Sequence, residues 1–234
     1  MGIVTTSAGL EMLLRWGHLL GGITWIGLLY YFNFVQTEYF KEADAAAKSD
    51  ALQKLAPRAL WWFRWGAVLT LLTGLGMFAV SAGRISSMDI YIGALLGIFM
   101  FTNVWLIIWP NQKIVIASAK QVAQGGAALP NAGEALAAAG LASRTNTLFS
   151  IPMLFFMAAS SHYPHLTFKF LPFIIAVVII LLLEYNGAYL ALKKFDIVKK
   201  LPAAGKMGPY TSVAGVIHSG LGLAVILFLL LELL

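Results

Sequence analysis

The sequence predicts an all-α protein, a polytopic membrane helix bundle of about six transmembrane helices that forms one domain over residues 1–234. Three observations carry this prediction. First, 60% of the residues are apolar and only 11% charged, whereas a soluble domain is about a quarter charged, so too few polar side chains remain to cover a water-facing surface. Second, mean hydropathy is +0.82, far too apolar for a disordered chain. Third, the apolar residues fall in runs approaching the roughly 20 residues that a helix needs to cross about 30 Å of hydrocarbon. They do not alternate with polar residues as the strands of a membrane barrel would.

Taken in order, the runs cover residues 12–35, 60–81, 90–109, 141–161, 171–192 and 213–234. The fourth is apolar only over 147–161, and its helix is expected to begin near Leu141. No Lys or Arg precedes the first run and no small-residue cleavage site follows it, so it reads as a retained helix rather than a removed signal peptide. Residues 37–59, rich in Ala, Lys and acidic side chains, are expected to form an amphipathic interfacial helix. Residues 121–142, rich in Ala and Gly around Pro130, read as a loop or a weak surface helix.

Basic residues orient the bundle. Lys41, Lys48, Lys54, Arg58, Lys113, Lys120, Arg144, Lys193, Lys194, Lys199, Lys200 and Lys206 follow the odd-numbered runs, against Arg15, Arg84 and Lys169 on the other side. The odd-numbered loops are therefore expected in the cytoplasm and both termini in the periplasm of a bacterial inner membrane. The net charge of +6 is scattered over loops and forms no basic helix, so the partner expected is the lipid bilayer and not nucleic acid. Cysteine is absent, which excludes disulfides, thiolate metal sites, iron–sulfur clusters and covalently attached c-type haem.

Ionisable groups at membrane depth are costly and need a reason. His18 shares a helical face with Arg15, Gly22 and Trp25, and His218 lies between Gly215 and Gly222 on another helix. Two imidazoles flanked by small residues are what a bis-histidine haem b requires. The alternative is histidines that hydrogen-bond to neighbouring helices packed through glycine. At about 1.5 Å per residue, His18 lies about 10 Å from the outer surface and His218 about 8 Å from the inner one, so one haem between them requires shifted span ends. No metal beyond the haem iron is expected.

Glu184 is the acidic residue deepest in a span, with Asn186 and Gly187 just after it. Arg64, Arg144, Asn33, Asn103 and Asn146 fall at comparable depth, and with Glu184 and His218 they make an inward-half polar cluster. Such a cluster is a structural hydrogen-bond network, a proton path or a substrate cavity. His162 and His165, on the connection after the fourth run, read either as a pair converging on a metal or quinone headgroup or as solvated loop histidines, with Pro164 breaking any common helical face. Trp61, Trp62, Trp65, Trp105 and Trp109 fit an interfacial belt. Met153 and Met157, beside a helix-bending Pro152, read as core packing or as a minor candidate for axial ligation.

Three blocks resemble a known family. Arg15-Trp-Gly-His-Leu-Leu-Gly-Gly-Ile-Thr-Trp-Ile-Gly-Leu-Leu-Tyr-Tyr-Phe-Asn-Phe-Val-Gln36, Asn103-Val-Trp-Leu-Ile-Ile-Trp-Pro-Asn-Gln-Lys113 and Ser143-Arg-Thr-Asn-Thr-Leu-Phe-Ser-Ile-Pro-Met153 are similar to the membrane domain at the N-terminus of bacterial urate oxidases of the PuuD type. The resemblance covers the first four runs well and the rest loosely. It implies a multi-helix membrane domain joined to an outward c-type cytochrome, passing electrons from urate towards the respiratory chain. A more distant likeness, to small haem-b membrane proteins of the protoporphyrinogen oxidase type, rests on an early-helix histidine and an Arg-x-x-Asn-like element. Carried over by residue, it puts forward His18 as a haem ligand and Arg144 and Asn146 as a cofactor or substrate site, although the spacing here is Arg-x-Asn. His218 matches no family block.

The sequence carries no Cys-x-x-Cys-His module, so urate oxidation would need a separate electron acceptor. The function expected is that of a membrane redox protein, urate oxidase-like as an oxidoreductase, with haem b at His18 and His218. Arg144, Asn146 and Glu184 would be its catalytic candidates, and a quinone or a separate cytochrome c its electron partner. The alternatives are a non-catalytic subunit of a larger respiratory complex, and a proton-coupled transporter using Glu184 and Arg64.

Overall fold

A computed structural model describes residues 2–81 and 86–234; Arg84, counted above among the outward charges, lies outside them. The described residues are all-helical. Six long rods account for most of them: α1 Ser7–Glu42, α2 Ala45–Ser81, α3 Met88–Ala123, α4 Ala132–His162, α5 Phe170–Leu192 and α6 Val213–Leu233. Short turns at Asp196–Lys199 and Gly208–Thr211 lie between α5 and α6. Hydroxyl side chains start three rods, where Thr6, Ser87 and Ser212 accept from the backbone N–H of Gly9, Ile90 and Gly215, satisfying donors that helix ends leave open.

Five of the six rods are long and apolar enough to cross a membrane. The exception is α4. Its stretch from Ser143 to Ser150 is polar, and it is enclosed by α3, α5, α6 and α1. A stretch enclosed by protein needs no apolar exterior, which is why hydropathy alone underrates this helix.

Two expectations are corrected. Residues 37–59 are not a separate interfacial helix, because α1 runs on to Glu42, only Ala43 and Asp44 intervene, and α2 starts at Ala45. Residues 121–142 are not mainly loop either, since α3 continues to Ala123 and α4 begins at Ala132, with Ala135, Ala138, Ala139, Leu141 and Ala142 buried. Alanine is the strongest helix former and small enough to let neighbouring helices close in.

Consecutive rods run antiparallel. Gly21 of α1 meets Gly66 of α2 so closely that a Cβ on Gly66 would lie 3.2 Å from the Gly21 carbonyl oxygen. The body of the molecule is α4 packed on α3, α6 and α5, and the α1–α2 hairpin leans against it with much thinner contact. Three wide π-helical turns interrupt the rods, at Tyr31–Gln36, Ala51–Leu55 and Asn103–Ile108. Each inserts a residue into the helical register, a device common at functional sites.

Candidate functional site

The polar stretch of α4 is the hub of a buried network. Two of the π-helical turns aim an asparagine at it. From α1, Asn33 Nδ2 donates to Ser143 Oγ at 2.8 Å, and Tyr30 Oη lies 2.9 Å from Ser150 Oγ. From α3, Asn103 Nδ2 donates both to Asn146 Oδ1 at 2.9 Å and to Glu184 Oε2 of α5 at 3.0 Å. Asn146 Nδ2 in turn donates to the Met100 carbonyl at 2.9 Å. On the α5 side, Gly187 packs directly on Thr145, and the buried Tyr210 phenol from the turn before α6 lies beside the Thr145 side chain. Four segments are thereby pinned to one stretch of one helix.

Arg144 belongs to this stretch but not to its bonds. It is 6% exposed and its Nη1 is buried without a hydrogen-bond partner, while the Glu38 carboxylate of α1 acts on its charge. Of the expected inward cluster, the structure unites Asn33, Asn103, Asn146 and Glu184 around α4. It leaves out Arg64, whose guanidinium stacks on Trp109 at 3.5 Å and lies 5.5 Å from the Trp105 ring. It also leaves out His218, which is exposed on α6.

His18 faces a different place, a small cleft of about 80 Å³ where α1 and α2 meet α3 and α4. Its Nδ1 lies 2.8 Å from the Thr70 carbonyl oxygen and 3.3 Å from Thr73 Oγ1. A carbonyl can only accept, so Nδ1 carries the proton, and in the neutral ring Nε2 keeps its lone pair. That is the arrangement by which proteins orient a metal-bound imidazole. The walls are apolar and partly stripped of side chains: Gly74, Ala94 and Gly97 line the cleft, and a Cβ on Gly97 would meet nothing within 4 Å. Trp25, 2% exposed, also lines it, with its indole N–H buried and unpartnered.

The donor and the orphaned N–H are of the kinds a haem site uses. The enclosed space is smaller than a macrocycle, so a ring seats only if the thinly packed α1–α2 hairpin parts from α3 and α4. His218 does not line this cleft, whereas Met153 and Met157 do. The expected pairing of His18 with His218 is not formed.

A larger groove of about 900 Å³ lies between α3, α5 and the first turns of α4. Leu106, Ile107, Leu181 and Ala188 form its walls, Asn103 and Glu184 lie at its inner end, and Lys193 and Lys194 at its mouth. No Lys or Arg pairs with Glu184 among the described residues; its hydrogen-bond partner is Asn103.

At the opposite end of the bundle the sequence showed His162 and His165 but not their surroundings. His162 is exposed. His165 is held between two carboxylates, with Nδ1 2.9 Å from Asp89 Oδ1 and Nε2 2.8 Å from Glu232 Oε2, while its backbone N–H donates to Asp89 Oδ2 at 2.6 Å. No group of three or more His, Asp or Glu suited to a metal ion occurs among the described residues. This cluster ties the α4–α5 connection to the start of α3 and the end of α6. Asp89, Glu232, Thr70, Thr145 and Tyr210 were not singled out from sequence, because each owes its role to a partner far away along the chain.

No curated protein and no solved structure matches the chain. The urate oxidase N-terminal family matches residues 82–214, which takes in α3, α4 and α5, the blocks at 103–113 and 143–153, and the polar hub they build, but not the block at 15–36. That match spans more than half of the 234 residues, and the chain belongs to the urate oxidase N-terminal family.

Proposed function

We propose that this protein is a redox protein of the bacterial inner membrane that holds haem b through His18 and passes electrons to a quinone or a cytochrome. The observation that carries the reading is the His18 imidazole, fixed through Nδ1 by the Thr70 carbonyl, on the wall of a glycine-lined apolar cleft. A haem b bound there would supply one-electron exchange. Thr70 sets the tautomer and the plane of the imidazole, Gly74 makes room for that imidazole, Gly97 leaves room for a flat face, and Trp25 Nε1 would offer a hydrogen bond to an acceptor on the bound group. Met153 and Met157 are the sulfur donors on the same cleft. The family membership supports an oxidative role, and the polar hub around Asn146 and Glu184 supports a place nearby for proton-bearing groups.

In this reading α4 is the sixth span. At 31 residues it is about 46 Å long, ample for crossing, and its neighbours shield its polar stretch. The excess of Lys and Arg on the odd-numbered connections supports both termini in the periplasm.

A reduced-minus-oxidised spectrum of protein purified after haem-supplemented expression tests the proposal. Reducible haem b bands that disappear in His18→Ala and persist in His218→Ala are the expected result. Colourless wild-type protein overturns it.

A further inference from the structure

We infer that the groove between α3 and α5 binds an amphipathic hydroquinone, a flat head bearing two hydroxyl donors on an apolar tail. The inference goes beyond haem at His18 and stands without it, since the groove uses a different face of α3. Ala94, Gly97 and Ile98 line the His18 cleft, whereas Thr102, Asn103 and Leu106 line the groove.

The chemistry of the inner end follows from the hydrogen bonds. Asn146 Nδ2 is spent on the Met100 carbonyl, so its Oδ1 must face Asn103. This forces the Asn103 amide nitrogen towards Asn146 and Glu184, and a flipped amide would set oxygen against oxygen. Asn103 Oδ1 is thereby left as an acceptor, fully buried and without a partner. A buried unpaired acceptor costs about 1–3 kcal/mol, and here it lies on a residue that lines a groove of about 900 Å³. Beside it, the Glu184 carboxylate offers a further acceptor oxygen. Neighbouring acceptors call for a ligand that donates. A hydrocarbon leaves Asn103 Oδ1 unpaired.

The walls select the remainder of the molecule. Phe99 and Ile107 flank the inner end, and Leu106 and Leu181, 70% and 46% exposed, stand where the groove opens to the side of the bundle. In a membrane that side is lipid, so an apolar tail can stay in the bilayer while its head reaches Asn103. Pockets of roughly 300–1,000 Å³ are of the size that takes such ligands.

The test is saturable binding of decylhydroquinone to the full chain in lipid nanodiscs under anaerobic conditions, compared with the dimethyl ether of the same compound. The ether keeps shape and tail but has no donor. The inference expects binding of the hydroquinone, about tenfold weaker binding of the ether (one hydrogen bond's worth), and loss of binding in Ala191→Trp. Ala191 lines the groove away from the Asn103–Glu184 contact, and helicity and monodispersity of the variant establish that it folds. Equal binding of the two compounds, or hydroquinone binding that survives Ala191→Trp, overturns the inference. The haem spectrum is read separately, so the failure of one proposal is not mistaken for failure of the other.

Discussion

Gly187 of α5 and Thr145 of α4 touch at a point where no side chain could be added: a Cβ on Gly187 would overlap Thr145 Oγ1 and lie 2.8 Å from its Cβ. Thr145 cannot retreat easily, because its hydroxyl donates to the Leu141 carbonyl at 3.0 Å. The contact holds α5 against the hub and keeps Glu184, one turn earlier, within reach of Asn103. Gly187→Val is expected to destabilise the protein by about 1–3 kcal/mol, the usual cost of overpacking, seen as a lower thermal midpoint in detergent. An unchanged midpoint would mean that the two helices are not in this contact.

The asparagine pair is expected to behave as a unit. Asn146→Leu strands one hydrogen of Asn103 and takes a second donor from the Met100 carbonyl, which keeps the Asn103 backbone N–H, and Asn103→Leu strands Asn146 Oδ1 and Glu184 Oε2. Each single change should cost about 1–3 kcal/mol, and the double change clearly less than the sum, because the second removes a group already orphaned by the first. Additive values in a double-mutant cycle would contradict the bond.

Tyr210 gives a pH dependence. Burial holds its phenol above its ordinary value near 10.0, against the opposing effect of the Thr145 side chain beside it. The folded protein therefore keeps this proton to higher pH than the unfolded chain does. Its contribution is complete below about pH 10 and is lost as pH rises through the folded value. Tyr210→Phe should flatten the fall of the thermal midpoint above about pH 10; a wild-type slope in the variant would contradict this.

His165→Ala removes the bridge between Asp89, which is fully buried, and Glu232. Asp89 keeps the backbone N–H of residue 165 but loses its imidazole partner, at a cost of about 1–3 kcal/mol. The loss should show locally as faster hydrogen exchange in residues 163–169. His162→Ala, on an exposed side chain, should leave that exchange as it was.

Arg64→Ala is expected to cost about 1 kcal/mol through loss of its stacking on Trp109 and to alter tryptophan fluorescence. Glu184 should be indifferent to the change, so hydroquinone binding at the groove serves as the internal control.

The bundle was legible from hydropathy because a span needs only length and apolarity, and the runs supply both. The start of α4 was not, since a string of alanine and glycine reads as a loop until other helices are seen to pack on Ala135, Ala138 and Ala142. Depth along the spans was enough to associate Asn33, Asn103, Asn146 and Glu184. It also gathered in Arg64 and His218 wrongly, because depth says nothing about which way a helix face turns. The rotation is set by packing: Arg64 finds an aromatic face, and His218 points away from the hub. Asp89 and Glu232 show the other limit, two residues that are unremarkable singly and acquire a role only when three chain segments converge on His165.

The lengths of α1, α2 and α3, 36, 37 and 36 residues, carry a mechanical consequence. Each rod measures about 54 Å, against about 30 Å of hydrocarbon. All three extend past the apolar zone at the same end, where Lys41, Lys48 and Lys120 lie. Because α1 and α3 stay helical through their π-helical turns, these protruding ends are lever arms. A push or a tether applied at Lys41 or Lys120 is transmitted along the rod to Asn33 and Asn103, so that whatever grips the protein outside the lipid also sets the fit of the asparagines inside it.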